Sequence, residues 1–282
     1  MRKKVAWVLL TGISVGMLVW LLWPVKMPVE TIGTTAVMPE PQSLLVLGDS
    51  IADGYMDAAS GGLETVRELC FGTNLQQTLS LDGEHYANRA VSGWTTGDLL
   101  QNMQEVTADI QAPDLIAVSI GGNDLLGPLL RDPAVVYDVL SLAAESAKGN
   151  AEDIRGALAQ KLEEISERET YVQAILAARQ NLTEVLQQLH QRFPQAVVAV
   201  QTVYNPLDRS DSLCIPIPAL DELNAAIRDA AEECEWVCVL DVAAAFSQRG
   251  EELLSSDWIH PNPEGHKQIA LLYRELWETP QS

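Results

Sequence analysis

Residues 43–50 read Ser-Leu-Leu-Val-Leu-Gly-Asp-Ser, and this stretch decides the fold. Its apolar part is a run of leucine and valine, which is typical of a strand buried on both faces of a parallel sheet. Gly48 and Asp49 then indicate a turn at the carboxyl end of that strand. Because ligands of open α/β sheets bind at this end, the stretch predicts that Ser50 lies at a functional site.

Four more apolar runs continue the pattern along the chain. The five predicted strands are Ser43–Gly48, Tyr86–Val91, Asp114–Ile120, Ala196–Val203 and Trp236–Val242. Between them the pattern is helical, with predicted helices that begin at Thr95 or Thr96, run from Ala219 to Glu233, and run from Pro263 to Trp277. Strands that alternate with helices predict an α/β fold with a doubly wound parallel sheet.

One connection breaks the regular spacing. From about Leu125 to Arg192 the pattern is helical and contains no strand, so we expect two or three helices inserted after the third strand. Their amphipathic pattern is typical of core packing. The functional alternative is a lid, or a wall for an acyl chain, over the site.

The N-terminus has the features of a membrane segment. Arg2, Lys3 and Lys4 precede the uncharged apolar run Val5–Trp23. As a helix this run is roughly 28 Å long, close to the thickness of a bilayer core, whereas signal-peptide cores are about 7–15 residues long. The basic residues in front favour an orientation with the N-terminus inside the cell.

We therefore predict a signal anchor, a transmembrane helix, over residues 1–26, a linker over residues 27–42 and one folded domain over residues 43–282. The protein would be a single-pass protein of the cell membrane with its domain on the extracytoplasmic side. Residues 34–36 are a candidate cleavage site, so a cleaved signal and a secreted protein remain the alternative.

The charge of the chain restricts its partners. It has 39 acidic and 18 basic side chains, which gives a formal net charge of −21. Such a protein repels nucleic acid and anionic lipid headgroups, so we expect no nucleic-acid partner. The sequence leaves the oligomeric state open.

The four cysteines, Cys70, Cys214, Cys234 and Cys238, contain no CxxC pair. This spacing argues against a zinc knuckle or a thioredoxin-type site. In an exported protein the four residues can form two disulfides in three alternative pairings, or they can remain buried free thiols. The sequence alone leaves both alternatives open.

Three clusters with chemical potential follow the first three predicted strands. Ser50 ends the first cluster, and its hydroxyl is a weak nucleophile that needs a base within hydrogen-bond distance. Gly93 lies in the second cluster, where a glycine lets the backbone approach a ligand and leaves N–H groups free. Asn123 lies in the third, and its amide can donate to a developing oxyanion.

The fourth cluster supplies an acid and a base just before the last predicted helix. Asp257 precedes His260 in the stretch Asp-Trp-Ile-His-Pro-Asn. In one tight turn this spacing lets the carboxylate accept the Nδ1 proton, so that Nε2 faces the serine. The four clusters together predict a serine hydrolase site.

These clusters resemble the four blocks of the SGNH, or GDSL-type, esterase and lipase family. The matching stretches are VLGDSIADGY, NRAVSGWTT, IGGNDLL and DWIHPNPEGH, and the resemblance runs from about Ser43 to Lys267. Ile51 stands where the family has the leucine that gives it the GDSL name. The long insertion resembles that of bacterial exported lipase-like members.

The resemblance implies a fold and a set of roles. The fold is a flavodoxin-like three-layer α/β/α sandwich with a five-stranded parallel sheet. Ser50 would attack the ester carbonyl, His260 would be the base, and Asp257 would orient His260. The oxyanion hole would consist of the Ser50 N–H, the Gly93 N–H and the Asn123 side chain. No cofactor and no metal are implied, and the substrate would be a small-molecule or lipid ester.

Two other classes of function stay open at this point. In a metal-dependent phosphoesterase, Asp49, Asn123, Asp124, His260 and His266 would be candidate ligands. In a non-catalytic binding module of the cell surface, Ser50 would make no covalent bond. Within the hydrolase class, a lysophospholipid, another lipid ester, a thioester and an O-acetylated glycan are all candidate acyl donors.

Overall fold

The computed structural model describes residues 39–133, 137, 151–210 and 213–278. The predicted signal anchor, residues 1–26, lies outside this range, as do linker residues 27–38. Among the helices of the described ranges, none is both long and apolar enough to span a bilayer.

The strands of the described residues form one large sheet and two hairpins. They are β1 (Leu44–Gly48), β2 (Tyr55–Asp57), β3 (Leu63–Thr65), β4 (Tyr86–Asn88), β5 (Leu115–Ser119), β6 (Val197–Gln201), β7 (Asp208–Ser210), β8 (Leu213–Cys214) and β9 (Val237–Leu240). The large sheet has five strands in the order β4-β1-β5-β6-β9, and all its pairs are parallel. β2 pairs with β3, and β7 with β8, in antiparallel hairpins. The prediction of an α/β fold with a five-stranded parallel sheet is confirmed.

In the described part of the chain, the helices before β5 have at most eight residues, whereas four of those after β5 have 15 or more. In chain order the helices are α1 (Ser50–Asp53), α2 (Phe71–Thr78), α3 (Thr96–Gln101), α4 (Met103–Val106), α5 (Gly122–Arg131), α6 (Ala151–Ser166), α7 (Glu169–Arg192), α8 (Pro218–Glu232), α9 (Val242–Phe246), α10 (Gly250–Leu253) and α11 (Pro263–Glu278). A single 3₁₀ turn, Arg67–Leu69, precedes α2. At the start of α3, Thr95 and Asp98 form a capping box, which fits the predicted start of this helix.

Side-chain alternation along the strands builds a core on each face of the sheet. Leu45 and Leu47 of β1 belong to one apolar cluster, together with residues of α3, α7 and α8. Leu44 and Val46 belong to the other, together with residues of α2 and α11. Because neighbouring residues of a strand point to opposite faces, a strand covered on both sides is apolar throughout. The sheet therefore lies between two helical layers.

The predicted strands extend beyond the observed ones by a few residues. The clearest case is Tyr86–Val91, since β4 ends at Asn88. There the Asn88 side-chain oxygen accepts the N–H of Ala90, which turns the chain out of the strand. The N–H of Val91 still donates to the carbonyl of Gly48, so this loop stays beside the end of β1.

The predicted helical insertion contains α5, α6 and α7, with no strand among its described residues. In α7, seven side chains from Tyr171 to Leu189 are buried, and the helix packs along α8. This helix therefore belongs to one layer of the sandwich, as the core-packing interpretation predicts. Residues 134–136 and 138–150 lie outside the described ranges, and a lid remains a prediction.

The four cysteines are free thiols in the structure. Cys70 and Cys234 are buried, and Cys214 and Cys238 are partly buried. Burial raises the pKa of the Cys238 thiol to about 12. Of the two alternatives that the sequence left open, the structure therefore has the one without disulfides.

Candidate active site

Ser50 lies at the carboxyl end of β1, a strand inside the sheet. Asp49 ends the strand: its N–H donates to the Ser119 carbonyl of β5 at 3.0 Å. The Asp49 carboxylate then accepts the N–H of Ile51 at 3.0 Å and caps α1, whose first residue is Ser50. The backbone therefore turns from strand to helix at the serine.

Gly48 makes this turn fit beside β5. Its φ is +144°, and a Cβ at this position would lie 2.0 Å from the carbonyl oxygen of Ser119. A side chain cannot be accommodated against a backbone atom at that distance. Glycine before Asp49 is therefore required for the close approach of β1 and β5 behind the serine.

The base lies on an irregular segment, Ser255–Asn262, which we call the acid–base loop. The Nε2 atom of His260 is 2.9 Å from Oγ of Ser50, although the two residues are 210 positions apart in sequence. The Nδ1 atom of His260 is 2.5 Å from Oδ2 of Asp257. The structure thus brings Ser50, His260 and Asp257 into one hydrogen-bonded chain.

Asp257 orders the loop as well as the imidazole. Its Oδ1 accepts the backbone N–H groups of Ile259 and His260 at 3.0 and 3.1 Å. Partial burial alone would raise the pKa of Asp257, but the hydrogen bonds from His260 and from these N–H groups outweigh it and lower the pKa below its ordinary value. The carboxylate is therefore ionised at neutral pH, which suits a partner of the imidazole.

Gly93 lies on the loop after β4 and Asn123 lies in the first turn of α5, and a hydrogen bond joins these two segments. Gly93 is exposed with a φ of +88°, and a Cβ there would meet no atom within 4 Å, so its surroundings are open. The Asn123 side-chain amide donates to the carbonyl of Trp94, the residue after Gly93, at 2.9 Å. On the other side of the glycine, the Ser92 hydroxyl donates to Asp53 of α1 at 2.7 Å.

A buried carboxyl group, Asp49, adjoins the nucleophile, and a partly buried one, Asp124, adjoins the amide. Burial raises the pKa of Asp49 to about 7; the Ile51 N–H opposes this shift and the negative charge of Asp124 adds to it. Burial also raises the pKa of Asp124, although the N–H and the hydroxyl of Thr96 donate to its carboxylate at 3.0 and 2.6 Å. Asp49 and Asp124 hold turns together through these bonds.

One of the candidate metal ligands, His266, lies in the core. His266 on α11 is fully buried, and its Nδ1 accepts the N–H of Phe71 at 3.3 Å. Burial lowers the pKa of His266 to about 3, and the charge of His260 contributes in the same direction. Within residues 39–133, 137, 151–210 and 213–278, no three His, Cys, Asp or Glu side chains are grouped as a metal ion would require.

Other residues hold the acid–base loop, and the sequence did not reveal them. The Tyr204 hydroxyl, which is buried, donates to the Ile259 carbonyl at 2.5 Å. The Asp57 carboxylate accepts two hydrogen bonds from Ser256, and the Tyr55 ring contacts the His260 ring edge-on at 4.8 Å. Tyr55 is the last residue of the quoted stretch VLGDSIADGY, and Asp57 lies just beyond it, but no spacing rule connects either residue with the loop.

Known proteins share this fold. A lipase from a goat rumen metagenome has a TM-score of 0.57 and 18% identity, over 85% of this chain and 99% of that chain. An acetyl xylan esterase from Geobacillus stearothermophilus has a TM-score of 0.52 and 20% identity, over 88% of this chain and 100% of that chain. A putative GDSL-like lipase from Parabacteroides merdae has a TM-score of 0.53 and 18% identity, over 86% and 98%.

No curated protein matches the sequence. Residues 46–268, however, match the sequence profile of the GDSL-like Lipase/Acylhydrolase family. This match covers most of the chain and includes all four sequence clusters. The chain therefore belongs to the GDSL-like lipase and acylhydrolase family, whose members are hydrolases that act on esters.

Proposed function

We propose that the protein hydrolyses carboxylic esters through an acyl-enzyme on Ser50. His260 is the general base and Asp257 is the residue that orients it. The observation that carries this proposal is the 2.9 Å contact between Ser50 Oγ and His260 Nε2. A serine becomes a nucleophile only when a base lies within this distance.

In the first step, Ser50 Oγ attacks the ester carbonyl carbon while its proton passes to His260 Nε2. Asp257 accepts a hydrogen bond from the Nδ1–H of the imidazole and stabilises the imidazolium that forms. His260 then gives its proton to the departing alcohol as the carbon–oxygen bond breaks. A water molecule, deprotonated by His260, attacks the acyl-enzyme, and the acid is released as the Ser50 hydroxyl forms again.

The negative charge of the tetrahedral intermediate develops on the former carbonyl oxygen. The Ser50 N–H lies at the N-terminus of α1, and Gly93 is exposed on the loop after β4. Asn123 uses one amide N–H for the Trp94 carbonyl, which leaves the second for the oxyanion. We assign these three groups to the oxyanion hole, where preorganised donors are most effective.

Replacement of Ser50 tests the proposal. We expect Ser50→Ala to abolish hydrolysis of p-nitrophenyl acetate and butyrate without a change in the unfolding midpoint, since the hydroxyl is partly exposed. Ser60→Ala is the matched control, because Ser60 is an exposed serine that contacts Glu64 and not His260. Turnover by Ser50→Ala at the wild-type rate would show that another residue is the nucleophile.

The acyl donor is a finer part of the proposal. Val91, two residues before Gly93, and Trp258 and Ile259, which precede His260 in the acid–base loop, are exposed apolar residues. Such surfaces suit an apolar acyl chain, and with the apolar insertion they favour a lipid ester or a medium-length acyl ester.

Deacetylation of a glycan is the second candidate, favoured by the open surroundings of Gly93, which admit a bulky alcohol part. A series of p-nitrophenyl esters from acetate to laurate, with acetyl-xylan and lysophosphatidylcholine, distinguishes the two. Highest kcat/KM on acetate and on acetyl-xylan would favour the glycan, and a maximum at a longer chain would favour the lipid.

We further propose that residues 1–26 anchor the chain in the membrane with the domain, residues 43–282, on the extracytoplasmic side. The support is the basic start followed by the long apolar run Val5–Trp23. We expect the full chain to remain in the membrane fraction after an alkaline wash, and a chain that starts at Met38 to be released. Release of the full chain, with a new N-terminus near residues 34–36, would instead establish a cleaved signal.

A further inference from the structure

The segment that carries the nucleophile meets the acid–base loop at two places. Residues 50–57 form α1, Gly54 and β2 without interruption. At one end of this segment, Ser50 Oγ is 2.9 Å from His260 Nε2. At the other end, Asp57 contacts Ser256, which belongs to the same loop as His260.

The contacts of Asp57 are short and involve both carboxylate oxygens. Oδ2 accepts the N–H of Ser256 at 2.7 Å, and Oδ1 accepts its hydroxyl at 2.6 Å. The N–H of Asp57 also donates to the hydroxyl of Ser255 at 3.2 Å. One residue of β2 therefore makes three hydrogen bonds to the first two residues of the acid–base loop.

On the β2 side of this contact, the backbone around Asp57 is firmly held. Met56, between Tyr55 and Asp57, is fully buried. The hairpin of β2 and β3, residues 55–65, is closed by backbone pairing, with Tyr55 opposite Thr65 and Asp57 opposite Leu63. Asp57 therefore projects from a fixed strand.

On the other side of this contact, the acid–base loop needs restraint from outside itself. Ser256, Trp258 and Ile259 are exposed, and Trp258 has a φ of +61°. A bulky residue in this left-handed region is strained and persists only where neighbouring contacts hold it. The Asp57 contacts add to the loop's own backbone bonds, such as that from the Ser255 N–H to the His260 carbonyl at 2.7 Å, and we expect their loss to shift His260 relative to Ser50.

We propose that Asp57 is a positioning residue, which sets the distance between Ser50 Oγ and His260 Nε2 by fixing the start of the acid–base loop to β2. This inference rests on the proposed roles of Ser50 and His260. Asp57 acts through Ser256 and takes no part in bond making. Its loss therefore affects the activation of Ser50 and not the binding of the ester.

Asp57→Ala removes both acceptors and is the main test. We expect kcat to fall by about 10²-fold, as for a displacement of about 1 Å in a catalytic group, with KM changed by less than about twofold. The rate at which a fluorophosphonate labels Ser50 should fall by a similar factor, because it reports serine activation. Glu64→Ala on β3 is the matched control, since Glu64 is exposed and its carboxylate accepts a hydrogen bond from the Ser60 hydroxyl, away from the acid–base loop.

A conservative variant and a variant in the loop complete the test. Asp57→Asn keeps an acceptor for the Ser256 N–H, so it should restore most of kcat. Ser256→Ala loses the hydroxyl but keeps the N–H, so kcat should fall by about tenfold. In the Asp57→Ala background, where the partner carboxylate is already absent, Ser256→Ala should lower kcat by a smaller factor. Ser256 is exposed, so this variant provides the test if Asp57→Ala does not fold.

The outcomes separate this inference from the proposed function. A kcat and a labelling rate for Asp57→Ala equal to those of Glu64→Ala, or a loss of thermal stability alone, would refute the positioning role. In that case an inactive Ser50→Ala leaves the proposed function intact. Turnover and labelling that persist in Ser50→Ala would refute both.

Discussion

The nucleophile and its base are held by two different kinds of structure. Ser50 follows β1, which pairs with β4 and β5, and Leu44–Leu47 in this strand are at most 2% exposed. The acid–base loop has no regular secondary structure, and Ser256, Trp258 and Ile259 within it are exposed. Strand pairing therefore fixes the serine, whereas the loop of the histidine is held by a few local backbone bonds, such as that from the Ser255 N–H to the His260 carbonyl at 2.7 Å, together with individual polar side chains.

This difference has a consequence for mutational sensitivity. The backbone bonds of β1 survive most substitutions that keep the strand apolar. The loop loses part of its restraint with each of a few polar side chains, such as Asp57, Tyr204 and Asn262. We therefore expect single substitutions of such polar side chains to act mainly on the histidine side.

The largest effect that tests the comparison is expected inside the acid–base loop. Asp257→Asn keeps an acceptor for the N–H groups of Ile259 and His260, but it removes the carboxylate that faces His260 Nδ1. In a serine–histidine–aspartate site this change lowers kcat by about 10⁴-fold, because the imidazole takes the wrong tautomer. Steady-state kinetics with p-nitrophenyl butyrate measures the loss.

The control for this variant is Asp241→Asn, which alters a capping carboxylate of similar kind at the start of α9. We expect that variant to retain wild-type kcat. A loss of less than about tenfold in Asp257→Asn would mean that the loop places His260 correctly without a carboxylate.

The next largest effect is expected on the sheet side. Asn123→Ala removes the amide that donates to the Trp94 carbonyl and, in our proposal, to the oxyanion. We expect kcat to fall by about 10²–10³-fold with little change in KM, since the oxyanion forms only on the path to the intermediate. Asn74→Ala is the control, because the Asn74 amide donates to backbone carbonyls of Leu69 and Cys70 away from the site. A change in KM alone would exclude an oxyanion role for Asn123.

The smallest effect concerns the free energy of unfolding. It compares one buried titratable group near the serine with one that follows the acid–base loop. Asp49 adjoins the serine and has a pKa raised to about 7, whereas His266 follows the acid–base loop and has a pKa lowered to about 3. Between pH 7 and pH 5 the folded state binds the extra proton at Asp49, so acidification stabilises it through this group. Over the same range the unfolded state binds the extra proton at His266, so acidification destabilises the fold through that group.

In the wild type these two contributions oppose each other, each by about 2 kcal/mol between pH 7 and pH 5. His266→Asn should therefore become more stable on acidification and Asp49→Asn less stable, by about that amount in each case. Urea unfolding at the two pH values measures both, with His85→Asn, an exposed histidine, as the control. Identical pH dependence in all three variants would mean that neither group is perturbed as described.

Much of the fold could be predicted because its signals are local. The run from Leu44 to Leu47 indicates a strand buried on both faces, and the Thr95 and Asp98 pair indicates a helix start. Strand ends were less accurate, since the Asn88 side chain that ends β4 competes for the backbone in a way that hydrophobicity does not reveal. The hairpin of β2 and β3 was not predicted, because its strands are very short.

By itself, the sequence determined the parallel sheet, the residue types at the ends of its strands and the spacing of Asp257 and His260. Only the tertiary structure decided the contact of Asp57 with Ser256, 199 positions away, and that of Tyr204 with Ile259. The physical reason is range. Apolar periodicity and turn chemistry act between neighbours in the chain, whereas the restraint on an irregular loop comes from polar groups that meet only when the whole domain has folded.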